Sequence, residues 1–315
     1  MPLLIGLDEA GYGPNLGPLV VAATVWEVAE DPRTFDPWVA FDGVVSQAAD
    51  PSGKTVHVAD SKVVHAASAG IAAVERSATT ILRLANRGAS SLHMLWDDLT
   101  GSDHRADCGE PWFCGNDVSL PMTELPQDSS HVLECWLQRC ESTGCRLVDV
   151  VCEIVPARRF NGELQKTGSK GRLLSEATLA LLRRVWDPAD DRDALVLCDK
   201  HGGRNRYADL LADTFPDEMP LGLEESSASS RYRVGSGEIR FQARSEAHLP
   251  VAAASLVAKY LREACMEAMN AFWIALLPDL RPTRGYPLDA RRYLREIEAD
   301  AAGMGLERET YWRLK

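Results

Sequence analysis

The stretch that most constrains this chain is residues 4–23. An apolar run ends in two adjacent carboxylates, Asp8 and Glu9, and a turn with three glycines and two prolines leads into a second β-rich run. This order predicts a β-hairpin with acidic side chains at its rim. Because neighbouring strand residues point to opposite faces of a sheet, at least one of the two carboxylates should face a cleft.

A carboxylate in a cleft favours a hard cation such as magnesium or manganese. Gly11 and Gly13 lack Cβ atoms, so their backbone N–H groups could approach a ligand closely. An isolated Asp-Glu pair is more often a chance feature of a tight turn. A phosphate loop of the Rossmann type is disfavoured, because here the glycines lead into a strand-like run and not into a helix.

Four further motifs follow the first along the chain. They are Asp60-Ser61-Lys62, Asp199 at the end of the apolar run 194–198, Glu246 before an Ala-Ala-Ser segment, and Gly285-Tyr286-Pro287. With the first motif, and in this order, they resemble the signature of the type 2 ribonucleases H, the ribonuclease HII and HIII family. The resemblance covers both ends and the middle of the chain.

The resemblance implies an α/β fold of the ribonuclease H type, with a mixed β-sheet flanked by helices, a C-terminal helical cap and an inserted segment. It implies one catalytic domain over residues 1–315, with insertions at about 27–52 and 88–145 and a helical part from about 247 to 315. The implied activity is that of a ribonuclease H, a hydrolase and endonuclease that cuts the RNA strand of RNA–DNA hybrids, or ribonucleotides embedded in duplex DNA. The products would carry 5'-phosphate and 3'-hydroxyl ends.

The resemblance also assigns residues to the site. The catalytic residues, which would also hold two divalent ions, Mg²⁺ or Mn²⁺, are Asp8, Glu9, Asp199 and Glu246. The substrate-binding residues are Gly11, Tyr12, Gly13, Ser61, Lys62, Arg204 and Tyr286. Backbone groups of residues 11–13 would read the 2'-hydroxyl that separates RNA from DNA, and Tyr286 would stack near the nucleotide beyond the cleavage point.

Three residues depart from the family pattern. Tyr12 stands where the family usually has Arg, Lys200 where Gly commonly follows the third acid, and Glu246 where ribonuclease HII usually has Asp. The first two departures, with the acidic insert, leave an alternative function open. The chain would then be a catalytically weak member of the fold that binds RNA–DNA hybrids, or one that serves protein interaction through residues 88–145.

Taken as a total, the net charge of −12 argues against a nucleic-acid-binding protein, but its distribution along the chain matters more. Most of the acidic excess lies in residues 27–50 and 97–141, and the remaining chain is close to neutral. Local charge governs contact with phosphate. We therefore expect a monomeric protein whose partner is an RNA–DNA hybrid; the sequence identifies no protein partner.

The eight cysteines are scattered without a CxxC pair, which favours reduced thiols in a cytoplasmic protein. Zinc binding by the cysteines between positions 108 and 145 is disfavoured by their spacing. No apolar run reaches 18 residues, so no membrane span is expected. Because residues 3–8 already resemble a strand, no secretory leader is expected in this sequence.

Periodicity predicts the elements that carry the motifs. Strands are expected over 3–8, 19–26, 146–155 and up to Asp199, and a hairpin over 231–243. Helices are expected from the Asp60 motif to about residue 86, around 174–185, from Glu246 onward, and over 289–301. Residues 27–52 are expected to form a segment that runs along the protein surface, a surface excursion. Residues 88–145 resemble an insert that is anchored by scattered aromatic residues. This insert could be a lid, a surface for a partner, or a segment without a function of its own.

Several side chains allow two interpretations. Ser61 is a helix N-cap or, with Lys62, a phosphate contact. The basic segment 158–172 is a solvated loop or a surface for backbone phosphates. His201 is a loop histidine or a minor candidate for proton transfer. Glu263 is expected to be solvated, and Tyr286 is a packed tyrosine at a helix entrance or the stacking group described above.

Overall fold

The computed structural model describes residues 1–66, 69–102, 105, 108–115, 117–125 and 129–314. Within them, a seven-stranded mixed sheet forms the centre of the molecule. Its strands are β1 (Leu3–Ala10), β2 (Leu19–Glu27), β5 (Arg146–Val155), β6 (Ala194–Asp199), β7 (Leu221–Glu225), β8 (Ser229–Val234) and β9 (Gly237–Gln242). They lie in the order β5-β2-β1-β6-β9-β8-β7. Two short strands, β3 (Val45–Ser46) and β4 (Val56–His57), pair separately.

The first strand lies at the middle of this sheet. β1 pairs antiparallel with β2 and parallel with β6. Its side chains alternate between two cores, with Leu3, Ile5 and Leu7 in one and Leu4 in the other. The alternation places Asp8 on the Leu4 face and Glu9 on the Leu7 face. The predicted hairpin is confirmed, and both acids lie within the strand itself.

Helices cover both faces of the sheet. They are α1 (Pro37–Ala40), α2 (Ser61–Ala66), α3 (Ile71–Leu84), α4 (Leu92–Thr100), α5 (Ser129–Thr143), α6 (Ala157–Thr167), α7 (Lys170–Val185), α8 (Ala208–Thr214), α9 (Leu249–Leu276), α10 (Pro287–Gly303) and α11 (Arg308–Tyr311). The α/β architecture with a mixed sheet, flanking helices and C-terminal helices is therefore confirmed. No helix among the described residues combines the length and apolar character needed to cross a membrane.

The long helix α9 packs directly against β1. A Cβ atom built on Gly6 would lie 2.2 Å from the backbone carbonyl carbon of Pro250. The Thr24 hydroxyl, on β2, donates to the Pro250 carbonyl oxygen at 2.8 Å. The absence of a side chain at residue 6 thus allows the start of α9 to approach the sheet, and this approach brings α9 next to Asp8.

The segment 88–145 packs into the main core. It contains α4, a 3₁₀ turn at Pro111–Phe113 and α5, and its aromatic anchors are at most 2% exposed. Trp136 stacks on Trp26 of β2 with ring centroids 6.3 Å apart, and Trp112 lies 6.1 Å from Trp273 of α9. Residues 103, 104, 106, 107, 116 and 126–128 of the insert lie outside the described residues. Its described helices therefore help to stabilise the sheet and α9.

The prediction of a surface excursion over 27–52 was only partly right. Phe41, directly after α1, is fully buried against Trp26 and Trp136. The Trp38 indole N–H donates to the carbonyl oxygen of Ala247 at 2.8 Å. The acidic residues of this segment lie at the protein surface, while its aromatic residues pack against the core.

Three predicted elements were wrong in detail. The helix after Asp60 is divided into α2 and α3, and residues 67 and 68 lie outside the described residues. The basic segment 158–172 is not a loop, because α6 and the start of α7 occupy it. Glu246 does not begin the long helix but lies in a 3₁₀ turn, Ser245–Ala247, just before α9.

Candidate active site

Asp8 lies in β1 and faces the start of α9. It is 8% exposed, and its carboxylate lies near the Ser255 hydroxyl. Burial raises the pKa of Asp8 well above its ordinary value, the neighbouring charges of Glu9 and Glu246 raise it further, and the Ser255 hydroxyl opposes the shift. Asp8 is therefore a carboxylate whose ionised form is disfavoured by burial and by two neighbouring acids.

Glu9 points to the opposite face of β1 and reaches the carboxylate of the neighbouring strand. Burial raises the pKa of Glu9 to about 7, and the negative charge of Asp199 adds to this effect, whereas Lys62 opposes it. Asp8 and Glu9 therefore reach the same cleft from the two faces of one strand.

Asp199 ends β6, which runs parallel to β1, so the two strands present their carboxyl ends at one edge of the sheet. Its Oδ1 accepts a hydrogen bond from the Ser245 N–H at 3.3 Å, and the Ser245 hydroxyl donates to the Cys198 carbonyl oxygen at 2.8 Å. These two bonds tie the turn that carries Glu246 to the end of β6. Burial raises the pKa of Asp199. Burial also raises the pKa of Glu246, and Asp199 and Asp60 raise it further.

Lys62, the first lysine of α2, lies among these acids. Partial desolvation lowers its pKa, but the charges of Asp60, Asp8, Glu246 and Glu9 outweigh this effect and raise it. Its ammonium group lies 4.0 Å from the Asp60 carboxylate, and its side chain is 85% exposed. The exposed Lys62 ammonium group thus interacts with all four acids, and the cleft retains an excess of negative charge.

The chemistry of this donor set fits a hard divalent cation, since carboxylate oxygens are the ligands that Mg²⁺ and Mn²⁺ prefer. No group of three or more His, Cys, Asp or Glu side chains is yet arranged to hold a metal ion anywhere in the described part of the chain. The four acids therefore supply the right atoms from converging elements, but their side chains would have to turn toward one another on binding.

The Asp60-Ser61-Lys62 motif has a structural role besides its lysine. The Asp60 carboxylate accepts a hydrogen bond from the Lys62 N–H at 2.9 Å at the start of α2. The Ser61 hydroxyl is buried and lies 3.0 Å from the Ser255 hydroxyl. The N-cap interpretation of Ser61 was wrong, because Asp60 fills that position and Ser61 packs against α9.

The glycine turn after β1 contacts the late Gly-Tyr-Pro motif. The Gly285 carbonyl oxygen accepts from the backbone N–H groups of Asn15 and Leu16 at 2.8 and 3.3 Å. Gly285 has a φ of +79°, and a Cβ atom there would lie 2.4 Å from the Leu16 carbonyl oxygen. Glycine is therefore required at this contact. The first and last of the five motifs form one surface.

A cavity of about 620 Å³ opens beside Tyr12. It is lined by Tyr12, Ser169, Gly171 and the loop 201–206. Arg204 and Arg206 give this wall positive charge, and Arg206 is 87% exposed on its side chain. The structure thus places Arg204 on a basic wall next to the acidic cleft.

His201 is a core histidine. It is 3% exposed, its Nδ1 lies 2.9 Å from the Ser175 hydroxyl, and burial lowers its pKa to about 3. A buried neutral imidazole with a structural partner is a weak candidate for proton transfer near neutral pH.

Tyr286 and Glu263 differ from the simpler expectations. Tyr286 is 52% exposed at the residue before α10, so it is not a packed tyrosine. Glu263 is 6% exposed and forms ion pairs with Lys259, Arg262 and Arg284, so it is not solvated. The ring of Tyr286 is therefore available for contact with a ligand.

Sequence reasoning missed three residues that support the site: Ser255, Arg262 and Arg313. Arg262 is 1% exposed, and its Nη2 donates to the Leu16 and Arg284 carbonyl oxygens at 3.3 and 3.1 Å. A charged residue within the apolar face of α9 is a signal that could have identified it. Ser255 lies in the Ala-Ala-Ser segment already singled out, and Arg313 has no comparable local signal.

No protein-family model matches this chain, and neither does any curated protein. Similar solved structures include the ribonuclease H2 from Pyrococcus horikoshii, with 14% identity, a TM-score of 0.45, and coverage of 98% of this chain and 92% of that one. The RNase HII in the PCNA:RNase HII complex from Archaeoglobus fulgidus has 16% identity, a TM-score of 0.42, and coverage of 99% and 96%. Bst-RNase HIII in complex with Mn²⁺ has 16% identity, a TM-score of 0.46, and coverage of 99% and 66%.

These structures belong to the family that the five sequence motifs resemble. At such TM-scores and identities, the case for a function depends on the residues of the cleft.

Proposed function

We propose that this chain is a type 2 ribonuclease H that cleaves the RNA strand of RNA–DNA hybrids, or ribonucleotides embedded in duplex DNA, by two-metal-ion hydrolysis. One observation carries the proposal: four carboxylates from β1, β6 and the turn before α9 lie at one edge of the sheet, where burial first and then neighbouring acids raise the pKa values of Asp8, Glu9 and Glu246. We further propose that residues 1–315 act as one catalytic domain, with insertions at 27–52 and 88–145.

The proposed metal ligands are Asp8, Glu9, Asp199 and Glu246. Two Mg²⁺ or Mn²⁺ ions bound there would supply an activated water and would stabilise the leaving 3'-oxygen of an in-line displacement, giving 5'-phosphate and 3'-hydroxyl ends. Four acids suit this task because two divalent cations next to a phosphodiester need more than one carboxylate. Repulsion among the four acids favours cation binding.

The other residues of the cleft would bind and orient the nucleic acid. Lys62 and Arg204 would contact backbone phosphates. Ser61 would support the position of Lys62, because its hydroxyl is hydrogen-bonded to the Ser255 hydroxyl of α9. The backbone of Gly11, Tyr12 and Gly13 would contact the 2'-hydroxyl. The exposed ring of Tyr286 would stack on the nucleotide beyond the scissile bond.

The test uses two labelled substrates, a duplex with one embedded ribonucleotide and a continuous RNA–DNA hybrid, each with magnesium and then with manganese. We expect cleavage of at least one substrate that depends on the metal and leaves 5'-phosphate ends. Cleavage on the 5' side of the single ribonucleotide would establish a junction-type enzyme, and cleavage of the hybrid alone would indicate HIII-like behaviour.

Hybrid binding without cleavage under either metal would contradict the proposal and favour the non-catalytic alternative. In the same assay, Asp199→Asn should abolish cleavage. The matched control for this variant is Asp213→Asn, because Asp213 is an exposed aspartate on α8, outside the cleft. This control should cleave like the unaltered chain.

A further inference from the structure

Arg313 is fully buried beneath the glycine turn. Its guanidinium group donates from Nη2 to the Tyr12 carbonyl oxygen at 3.0 Å and from Nη1 to the Gly17 carbonyl oxygen at 3.3 Å. Its backbone N–H donates to the Asn15 carbonyl oxygen at 2.8 Å, and the Asn15 amide donates back to the Arg313 carbonyl oxygen at 3.0 Å. One residue therefore holds three separate carbonyl groups of the turn.

The contact with Tyr12 determines how the next peptide group is presented. The only cis peptide bond among the described residues joins Leu120 to Pro121, so the Tyr12–Gly13 bond is trans. In a planar trans peptide the C=O and N–H bonds point in opposite directions. With the Tyr12 carbonyl turned inward to Arg313, the Gly13 N–H points outward.

Gly13 itself leaves this N–H accessible. The residue is exposed, and a Cβ atom built on it would meet no other atom within 4 Å. Within the described ranges, no hydrogen-bond acceptor contacts the Gly13 N–H. The donor is therefore fixed in direction and free to bind a ligand at the edge of the cleft that holds Glu9.

The rest of the fold holds Arg313 in place from α6. The Phe160 ring lies under the guanidinium group, 4.1 Å from ring centroid to Cζ. The Asn161 amide donates to the Glu309 and Trp312 carbonyl oxygens at 2.8 and 2.9 Å, and its oxygen accepts from the Leu314 N–H at 2.8 Å. Burial lowers the pKa of Arg313 to about 9, so the guanidinium group remains protonated and donating at neutral pH.

We propose that Arg313 is a positioning residue for recognition of the ribose: by holding the Tyr12 carbonyl inward, it directs the Gly13 N–H toward the 2'-hydroxyl of the bound ribonucleotide. The inference rests on the proposed function, since it names what sets the specificity of that site. Arg262 contacts the same turn by donating to the Leu16 carbonyl oxygen.

The experiment measures binding without chemistry. In an Asp199→Asn background, affinity is compared at one salt concentration for a duplex with a single embedded ribonucleotide and for the same duplex made only of DNA. Arg313→Lys keeps the charge but has no planar fork to hold two carbonyls. The matched control is Arg308→Lys, since Arg308 is a nearby exposed arginine on α11.

We expect Arg313→Lys to lower the ratio of ribonucleotide to DNA affinity about fivefold, the scale of one hydrogen bond, with affinity for the DNA duplex unchanged. Arg308→Lys should leave the ratio unchanged. Amide hydrogen exchange at Asn15 and Leu16 should accelerate in Arg313→Lys, while exchange in α7 stays as it was. This second measurement detects loosening of the turn in a folded chain.

Two results would overturn the inference alone: an unchanged ratio in Arg313→Lys, or an equal loss of affinity for both duplexes, which indicates a general structural role. A parent protein that shows no preference for the ribonucleotide would instead overturn the proposed function, and the inference with it. The two failures are thus distinguished by the parent measurement.

Discussion

The hydroxyl groups of Ser255 and Ser61 share a hydrogen bond of 3.0 Å, although the two residues are 194 positions apart in the sequence. The Ser255 hydroxyl also lies near the Asp8 carboxylate and lowers its pKa. Two hydroxyl groups therefore connect the central strand, α9 and the helix that carries Lys62. The geometry of the acidic cleft depends on this connection as well as on the acids themselves.

Ser255→Ala should weaken both stability and cleavage. The change leaves the Ser61 hydroxyl and the Asp8 carboxylate without a buried partner, which should lower the free energy of unfolding by about 1–3 kcal/mol. Asp8 loses its orientation, so cleavage should fall by about tenfold. Denaturant titration and initial rates measure the two effects. Ser61→Ala is the control, because it keeps the contact between Ser255 and Asp8. Equal cleavage by the two variants would contradict the role of Ser255 in orienting Asp8.

Asp199→Asn should abolish cleavage and leave the fold intact. The loss in rate should be about 10³-fold or more, the scale seen when a group that stabilises transition-state charge is removed. Manganese should raise the melting temperature of the unaltered chain, because a ligand of the native state stabilises it, and should raise that of the variant less. Normal turnover by the variant, or an equal metal-dependent shift, would contradict the assignment of Asp199 as a ligand.

The strands of the site could be predicted from the sequence because their signals are local. The apolar runs before Asp8 and before Asp199 each predict a strand that carries an acid at or near its end. Parallel pairing of β1 and β6 then brings the two ends together. The roles of these acids stay predictions, since the convergence of carboxylates alone does not establish catalysis.

Other features could not be predicted because they depend on distant contacts. Arg313 contacts Asn15 across 298 positions, and no local pattern marks it as buried. From the sequence alone, Glu263 is expected to be solvated, and only the fold shows that it forms ion pairs with Lys259 and Arg284. Phe41 and Trp136 meet in one core on a single face of the sheet, although they come from two segments whose acidic composition is typical of solvated chain. Tertiary packing decides each of these positions.

Gly6→Ala should destabilise the protein strongly. The added methyl group would lie 2.2 Å from backbone atoms of Pro250, so β1 and α9 must separate. We expect a loss of about 3 kcal/mol or more in the free energy of unfolding. The control is Gly162→Ala on α6, where a Cβ atom meets nothing within 4 Å. There alanine should stabilise the helix by about 0.5–1 kcal/mol. Equal stability of the two variants would contradict the close approach of α9 to the sheet.

Tyr286→Ala should separate binding from stability. The side chain is 52% exposed, so the free energy of unfolding should change by less than about 0.5 kcal/mol. Loss of a stacking ring should reduce affinity for an RNA–DNA junction about tenfold, and more than affinity for a plain hybrid. Tyr286→Phe keeps the ring and should bind normally. Equal losses of Tyr286→Ala on the two substrates would remove Tyr286 from junction recognition.

Glu110 should make stability decrease as pH rises above the acidic range. It is 2% exposed, and burial raises its pKa to about 8, although the Ala157 N–H and the Arg313 guanidinium group oppose the shift. The Cys265 thiol also faces it. Between about pH 4.5 and 8 the folded state holds a proton that the unfolded state has lost. Rising pH therefore favours unfolding, by about 1 kcal/mol per pH unit, until Glu110 ionises in the folded state as well.

The measurement compares the free energy of unfolding of the unaltered chain with that of Glu110→Gln from pH 5.5 to pH 8.5, a window of about three units in which the predicted difference is measurable. The glutamine stays neutral in both states, so the free energy of unfolding of the unaltered chain should fall relative to that of Glu110→Gln as pH rises. Glu309→Gln, at an exposed glutamate of α11, should give a curve parallel to that of the unaltered chain. Parallel curves for Glu110→Gln as well would show that the Glu110 carboxyl is already ionised in the fold, which would require a closer cation than the Arg313 guanidinium group.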